Sequence, residues 1–381
     1  MPNDAKVIVY RDILLPKSET FVKEQADNLV RFKPVFAGYK YINYGIQLDS
    51  NNVICNQKTD TARTTIKEAL IKTSGLNWKL IKEIQQVQPR LIHAQFGPDG
   101  SLVLPIAKRL NLPLLVSFHG YDATMDDQSL LKGSFNARYY VRNKEKLMKN
   151  ATNFIAVSNF IKSKLVDRGF PQDKIMTHYI GIDTEKFAKS STTKKENTVL
   201  FVGRLVPNKG CNYLLQAMKK VQNNISNAEL IIIGDGPEKE KLMKTAKELN
   251  ISCKFLGHQP QEEVINWLNK AKVFCVPSTE VESGASEGLG MVFLEAQAMG
   301  VPVASFKTGG IPEAVLDKQT GFLYEQRNWS KLAEGITALL ENEHLYNQFS
   351  TNAVVHVNKR FNIIKQTNEL ETIYQDISSN K

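Results

Sequence analysis

The sequence lacks any uninterrupted apolar run of about 18 residues, so no membrane-spanning helix is expected. It opens Met-Pro-Asn-Asp-Ala-Lys and passes directly into the strand-like Lys6–Tyr10. No basic leader with a long apolar run precedes that strand, so no secretory signal is expected. Cysteine is scarce: Cys55, Cys211, Cys253 and Cys275 lie far apart and none forms a C-x-x-C pair. Cys253 and Cys275 stand in apolar runs, where a thiol packs as a small hydrophobe, and this usage fits a reducing cytoplasm. No Asp-x-Asp pair, H-E-x-x-H or Cys/His cluster is present, so no metal site is expected. A full G-x-G-x-x-G is also missing. Gly234-Asp-Gly236 runs into Pro237 without the third glycine, which argues against a nicotinamide oxidoreductase. Repeats and low-complexity tracts are absent.

What remains is an ordinary globular composition, 42% apolar and 23% charged over 381 residues, enough for two or three domains. The net charge of +10 is unevenly placed. Residues 1–190 hold 28 Lys and Arg against 18 Asp and Glu, whereas the rest of the chain holds 21 of each. Such asymmetry points to an anionic partner for the first half or to a solvated basic surface.

Short β-branched runs alternate with amphipathic stretches. Expected strands are Lys6–Tyr10, Pro34–Gly38, Leu91–Ala94, Leu114–Ser117, Phe154–Val157 and Ile175–Tyr179. A second set comprises Thr198–Val202, Glu229–Ile233, Ser252–Phe255, Val273–Val276 and Pro302–Ser305. Between them lie helix-period segments, among them Thr61–Lys72, Asn77–Gln86, Gly100–Leu110, Tyr139–Asn150 and Cys211–Asn223, with Ser330–Leu340 and Arg360–Asp376 near the end. This alternation predicts an α/β protein with parallel, helix-covered sheets. The polar stretch 189–197 reads as a linker. The expected domains are residues 1–188 and 197–357, each doubly wound, followed by a C-terminal helix, 358–381, that crosses back to the first. Two such domains offer facing crevices beyond the carboxyl ends of their strands, suited to an enzyme that joins two substrates.

Two stretches carry chemistry. In Val199-Leu-Phe-Val-Gly203-Arg204-Leu-Val-Pro-Asn-Lys209-Gly210 a strand ends in glycine, and two cations stand at the mouth of the sheet. A diphosphate would be neutralised there, unless both are ordinary loop charges. In Glu287-Gly-Leu-Gly290-Met-Val-Phe-Leu-Glu295 a glycine turn lets backbone amides approach a ligand and opens a helix whose positive end faces it. Glu295 can accept hydrogen bonds from the two hydroxyls of a ribose. A purely macrodipole role for both glutamates is the alternative.

Together with Ile231-Ile-Ile-Gly-Asp-Gly-Pro-Glu238, Phe255-Leu-Gly-His258, Val276-Pro-Ser278, Ala156-Val-Ser158 and Ile180-Gly-Ile-Asp183, these stretches resemble glycosyltransferase family 4 over roughly residues 90–345. The family's enzymes are retaining, depend on nucleotide sugars and have the GT-B fold of two Rossmann-like domains. The resemblance implies that Arg204 and Lys209 hold the donor diphosphate and that Glu295 holds the ribose. It places Glu287 against the transferred sugar, with Gly203, Gly288, Leu289, Gly290, Met291 and Val292 lining sugar and phosphates. Gly257 and His258 would flank the base. His119, in Ser117-Phe-His-Gly-Tyr-Asp122, is similar to the family's histidine that approaches the donor sugar from the other domain; Glu287, His119, Arg204 and Lys209 form the expected catalytic set.

The start of the chain departs from the family. Where many members carry a Gly-Gly loop, Asp12-Ile-Leu-Leu-Pro-Lys-Ser18-Glu19-Thr20-Phe21 has no glycine, so Ser18 or Thr20 is expected to cap the following helix. This loop and His93-Ala-Gln-Phe-Gly-Pro-Asp99 resemble enzymes of bacterial exopolysaccharide and envelope polysaccharide synthesis. Ser18, Glu19, Thr20, His93, Asp99 and Asp122 are the acceptor-side candidates. The implied donor is UDP-glucose, with no metal or other cofactor, and the implied acceptor a saccharide or polyprenyl-diphosphate-linked saccharide. The implied location is cytoplasmic, at the anionic inner face of the membrane, with Asn77–Ile84 and Arg138–Lys149 as the basic contact segments. A nucleotide-sugar epimerase and a basic nucleic-acid-binding protein are the rival readings; no RNA-binding aromatic motif or recognition-helix pattern supports the latter.

Overall fold

Runs such as Val7–Tyr10 and Leu230–Ile233 are buried at every position, as strands covered by helices on both faces must be. The computed structural model describes residues 5–43, 45–59, 65–74, 77–189 and 196–379. The chain divides into two compact units, Met1–Gly181 with Ile363–Lys381, and Ile182–Asn362. Both boundaries differ from those expected at 188 and 357. Ile182 already belongs to the second unit, where its N–H donates to the carbonyl of Phe361 at 2.7 Å. The helix Glu343–Arg360 carries that unit on to Asn362. Most of the expected linker, residues 190–195, lies outside the described residues.

The first unit contains β1 (Ala5–Tyr10), β2 (Ile13–Leu14), β3 (Phe32–Ile42), β4 (Val53–Thr59), β5 (Leu91–Gln95), β6 (Leu114–Phe118), β7 (Asn153–Ala156) and β8 (Ile175–Thr177). They form one parallel sheet in the order β3-β1-β5-β6-β7-β8, with β2 and β4 also paired to β3. The winding reverses between β1 and β5. The helix Ile363–Ser379 lies against this sheet, its Leu370, Tyr374 and Ile377 packed with Val7, Phe32, Leu91, Leu115 and Ile155. Its buried Glu371 accepts the backbone N–H groups of Val30, Arg31 and Phe32.

The second unit contains β9 (Glu196–Val202), β10 (Glu229–Ile233), β11 (Cys253–Gly257), β12 (Ala271–Cys275), β13 (Val303–Phe306) and β14 (Gly321–Tyr324). Their parallel order, β11-β10-β9-β12-β13-β14, is that of a dinucleotide-binding sheet, with the reversal between β9 and β12.

Besides β2 and the short helices Tyr121–Thr124, Asp127–Leu131 and Ile311–Ala314, three longer or sheet-completing elements were not expected. Val53–Thr59 reads Val-Ile-Cys-Asn-Gln-Lys-Thr, too polar toward its end to stand out as a strand. Gly321–Tyr324 is four residues long and opens on glycine. The helix Glu343–Arg360 buries Ser350 and Ala353 within its inward stripe, so large apolar residues do not mark the period. The expected helix at Thr61–Lys72 is observed over Ile66–Ser74, with 61–64 outside the described residues. Neither Ser18 nor Thr20 caps the helix Thr20–Asp27. Glu19 holds the cap position without a side-chain cap bond, because its carboxylate is committed to Arg11. All four cysteines are free thiols.

Candidate functional site

Functional side chains gather at the carboxyl ends of the strands in each unit, on the two sides of the winding reversal. In the second unit Gly203 and Arg204 follow β9, and Pro207–Lys209 forms a short turn before the helix Cys211–Asn224. This turn is tied across the reversal to the loop after β12. Thr279 N–H donates to the carbonyl of Asn208 at 2.9 Å, and a Cβ on Gly210 (φ +67°) would stand 1.9 Å from the carbonyl oxygen of Pro277. Only glycine allows that approach. Arg204 is exposed; its carbonyl accepts the Val206 N–H at 3.0 Å, but its side chain has no hydrogen bond or ion pair among the described residues. Lys209 Nζ lies 2.5 Å from Glu287 Oε2, both side chains being largely covered.

The loop carrying Glu287 is fixed from behind. Its carbonyl accepts the N–H of Gly310 at 2.9 Å, and a Cβ on Gly309 would stand 2.2 Å from the same oxygen. Gly288 and Leu289 are buried in this turn; Gly290, at φ +86°, opens the helix Met291–Ala298. The first N–H groups of such a helix have no intrahelical partner and make a seat for an anion. Met291, Val292 and Glu295 are half-buried on its first turns. At the other side, Gly234 N–H donates to the carbonyl of Gly257 at 2.8 Å, which sets Gly257 and the exposed His258 beside the end of β10. All the expected donor residues thus share one edge of one sheet. Gly309 and Gly310 were missed, although Thr308-Gly-Gly-Ile-Pro is the sequence of a turn entering a helix.

In the first unit Arg11 follows β1, and its guanidinium binds Glu19 through Nε and Nη2 at 2.9 and 2.7 Å and Asp99 through Nη1 at 2.6 Å. Burial works against its charge, but the two carboxylates outweigh burial and hold it well above the ordinary arginine value. The Phe96 ring lies under it at 4.6 Å. Phe96 itself sits at φ 77° and ψ 147°, a strained conformation for a residue with a side chain. Beneath Arg11, Asp12 accepts from Lys72 and Asn136 at 2.7 and 2.8 Å.

His119, after β6, is flanked by the rings of Phe21 and Phe96 at 5.0 and 4.6 Å. Its Nε2 lies 2.8 Å from Gln95 Oε1, while Nδ1 is buried without a partner among the described residues. Burial, then His93 and Arg11, push its pKa down to about 3, so the ring is neutral. His93 Nδ1 lies 2.7 Å from the Tyr374 hydroxyl and Nε2 lies 2.7 Å from Ser117 Oγ.

These bonds revise the acceptor-side set. His93 is buried with both ring nitrogens engaged, so it braces neighbours instead of meeting a ligand. Asp99 is buried on Arg11 and the Asp12 N–H. Asp122 is buried too, and accepts the N–H groups of Gly97, His119 and Gly120, locking the loops after β5 and β6 together. Glu19 is buried on Arg11; Ser18 is exposed and Thr20 half-buried. Arg11 and Tyr374 were missed because neither stands in a local pattern; Gln95 and Phe96 lie within the His93–Asp99 stretch, but only its ionisable ends stood out as candidates. Among the described residues no group of three or more His, Cys, Asp or Glu is placed to hold a metal ion.

Residues 61–186 match the model "Glycosyltransferase Family 4", and residues 182–355 match "Glycosyl transferases group 1". An uncharacterized glycosyltransferase of Methanocaldococcus jannaschii is 30% identical over 290 residues, 76% of either chain. A GDP-mannose-dependent phosphatidylinositol monomannoside mannosyltransferase of Corynebacterium glutamicum is 37% identical over 174 residues, 42% of this chain and 45% of that one. An amylovoran biosynthesis glycosyltransferase of Erwinia amylovora is 31% identical over 194 residues, 50% and 47% of the two chains. Among solved structures, Anabaena HepE in complex with UDP superposes with a TM-score of 0.76 at 18% identity, covering 98% of this chain and all (100%) of that one. Sucrose-phosphate synthase of Thermosynechococcus elongatus gives 0.79 at 18% identity, covering 99% and 100%. With these matches spread over both units, the chain belongs to glycosyltransferase family 4 and has the GT-B fold.

Proposed function

We propose that the protein is a retaining, metal-independent glycosyltransferase that moves glucose from UDP-glucose to a saccharide or polyprenyl-diphosphate-linked saccharide in envelope or exopolysaccharide synthesis. The observation that carries this reading is the crevice between β9 and β12. An unpaired arginine, a lysine, a glutamate and a helix N-terminus converge there where a sugar diphosphate needs two cations, an acceptor for sugar hydroxyls and backbone amides. As the donor's anomeric C–O bond breaks, Arg204, Lys209 and the N-terminus of Met291–Ala298 stabilise the charge growing on the diphosphate. The acceptor oxygen bonds to the same face of the sugar, and its proton passes to a phosphate oxygen. Glu287 and His119 position the sugar; Glu295 holds the ribose.

The amylovoran relative supports the polysaccharide assignment, and the complexes of HepE with UDP and with UDP-glucose support the donor. The mannosyltransferase relatives favour GDP-mannose instead. A donor panel in EDTA, with products read by NMR, decides between them. Release of UDP with an α-linked glucoside supports the proposal; release of GDP alone assigns the second donor, and activity only with added manganese or magnesium rejects metal independence. A position at the anionic inner face of the membrane belongs to the same proposal, resting on the charge of the first half and on the exposed Ile66, Leu70 and Trp78.

A further inference from the structure

The two cations of the donor crevice are not equivalent. The guanidinium of Arg204 is exposed and without a partner among the described residues, ready to meet a phosphate. Lys209 is already engaged, its ammonium 2.5 Å from the Glu287 carboxylate. The two members of that pair also differ in freedom. Glu287 sits in a turn whose carbonyl is bonded to Gly310 and crowded by Gly309, and its own Cγ lies 3.3 Å from where a Cβ on Gly290 would be. Lys209 carries its charge on a flexible four-carbon stem. Any exchange of partners therefore moves the lysine and leaves the glutamate in place.

Largely covered, at 16% and 15% exposure, this ion pair is screened less than one on the open surface. A bare nucleoside diphosphate must break it, or share the lysine with a neighbouring carboxylate, to gain the second cation. A nucleotide sugar brings hydroxyl donors that satisfy Glu287 at the moment Lys209 leaves.

We propose that Glu287 is a specificity-determining residue that acts through Lys209. By holding the lysine until sugar hydroxyls replace it, the glutamate lowers affinity for the product nucleotide relative to the sugar-bearing donor. This inference rests on the donor-crevice reading above. In the product state the glutamate recaptures the lysine, leaving the diphosphate on Arg204 alone and favouring its release.

Calorimetric titration of UDP, with GDP in parallel, into the full chain and its variants tests the coupling. Glu287→Gln is expected to tighten nucleotide binding about fivefold, since the pair no longer has to be broken. The gain is expected to vanish in Glu287→Gln/Lys209→Ala. Lys209→Ala alone leaves nucleotide affinity within about twofold, while Arg204→Ala weakens it about tenfold, the loss of one charge-assisted bond. Unchanged or weaker binding by Glu287→Gln overturns the proposal. So does a gain that persists without Lys209, which would mean plain repulsion between Glu287 and the diphosphate. Binding of neither nucleotide by any of the proteins overturns the donor-crevice reading instead.

Discussion

At the scale of single residues, Arg204 and Lys209 follow directly from the sequence, since both lie within seven positions of a strand end. Arg204→Ala and Lys209→Ala should each raise the barrier to transfer by about 2–4 kcal/mol, comparable to removing one preorganised donor to a developing anion. Steady-state turnover with the best donor checks this, and a change of only a few-fold contradicts the roles assigned. His93 sets a pH dependence. Burial, then His178, hold its pKa down at about 3 against an ordinary 6.5, so the unfolded chain binds a proton there that the folded chain refuses. The stability this neutral histidine allows is complete above pH 6.5 and is lost as pH falls toward 3, by about 1.4 kcal/mol per unit. Unfolding free energies from urea titrations taken downward from neutrality should fall at least that steeply, because His119 adds a loss of the same sign, and an imidazole NMR titration should show His93 unprotonated in the folded protein.

At the scale of elements, the basic helices divide their residues differently from the membrane-contact expectation. Trp78–Val87 buries Leu80, Ile81 and Ile84, and Phe135–Asn150 buries Ala137, Tyr140 and Leu147, so half of their apolar residues serve the fold. Trp78 stays exposed under the guanidinium of Arg109 at 4.1 Å, and Ile66 and Leu70 are exposed on the preceding helix. Sedimentation with anionic liposomes at low salt is expected to carry the protein down and neutral liposomes are not; equal behaviour with both removes the membrane from the account. Alternating apolar runs made most strands legible, including β1, β5, β9 and β10. The strands β4 and β14 were hidden by polar or glycine positions, and Glu343–Arg360 by the small residues on its buried face. The candidate donor site was legible because Gly203–Gly210 and Glu287–Glu295 are each contiguous. The network around His119 was not: Gln95 lies 24 positions from the histidine it bonds, and Tyr374 lies 281 from His93. Folding alone brings such residues together.

At the scale of the whole molecule, the chain closes its first unit with its last helix. Glu371 ends three backbone N–H groups and bonds Arg31 at 3.1 Å, while Leu370, Tyr374 and Ile377 complete the core under the first sheet. Glu371→Ala should cost about 3 kcal/mol, because it strands buried donors, and should raise hydrogen exchange in β1 and β3. Exchange unchanged in both strands would show that the helix contributes little. No helix among the described residues is long and apolar enough to cross a membrane. The central claim is that one crevice of the second sheet binds a sugar nucleotide by its diphosphate, and a crystal structure with bound UDP tests it most directly. The account predicts the diphosphate at the carboxyl ends of β9 and β12, against Arg204 and the N-terminus of Met291–Ala298, with the ribose hydroxyls on Glu295. A diphosphate bound elsewhere, on Arg11 of the first unit for instance, would contradict it.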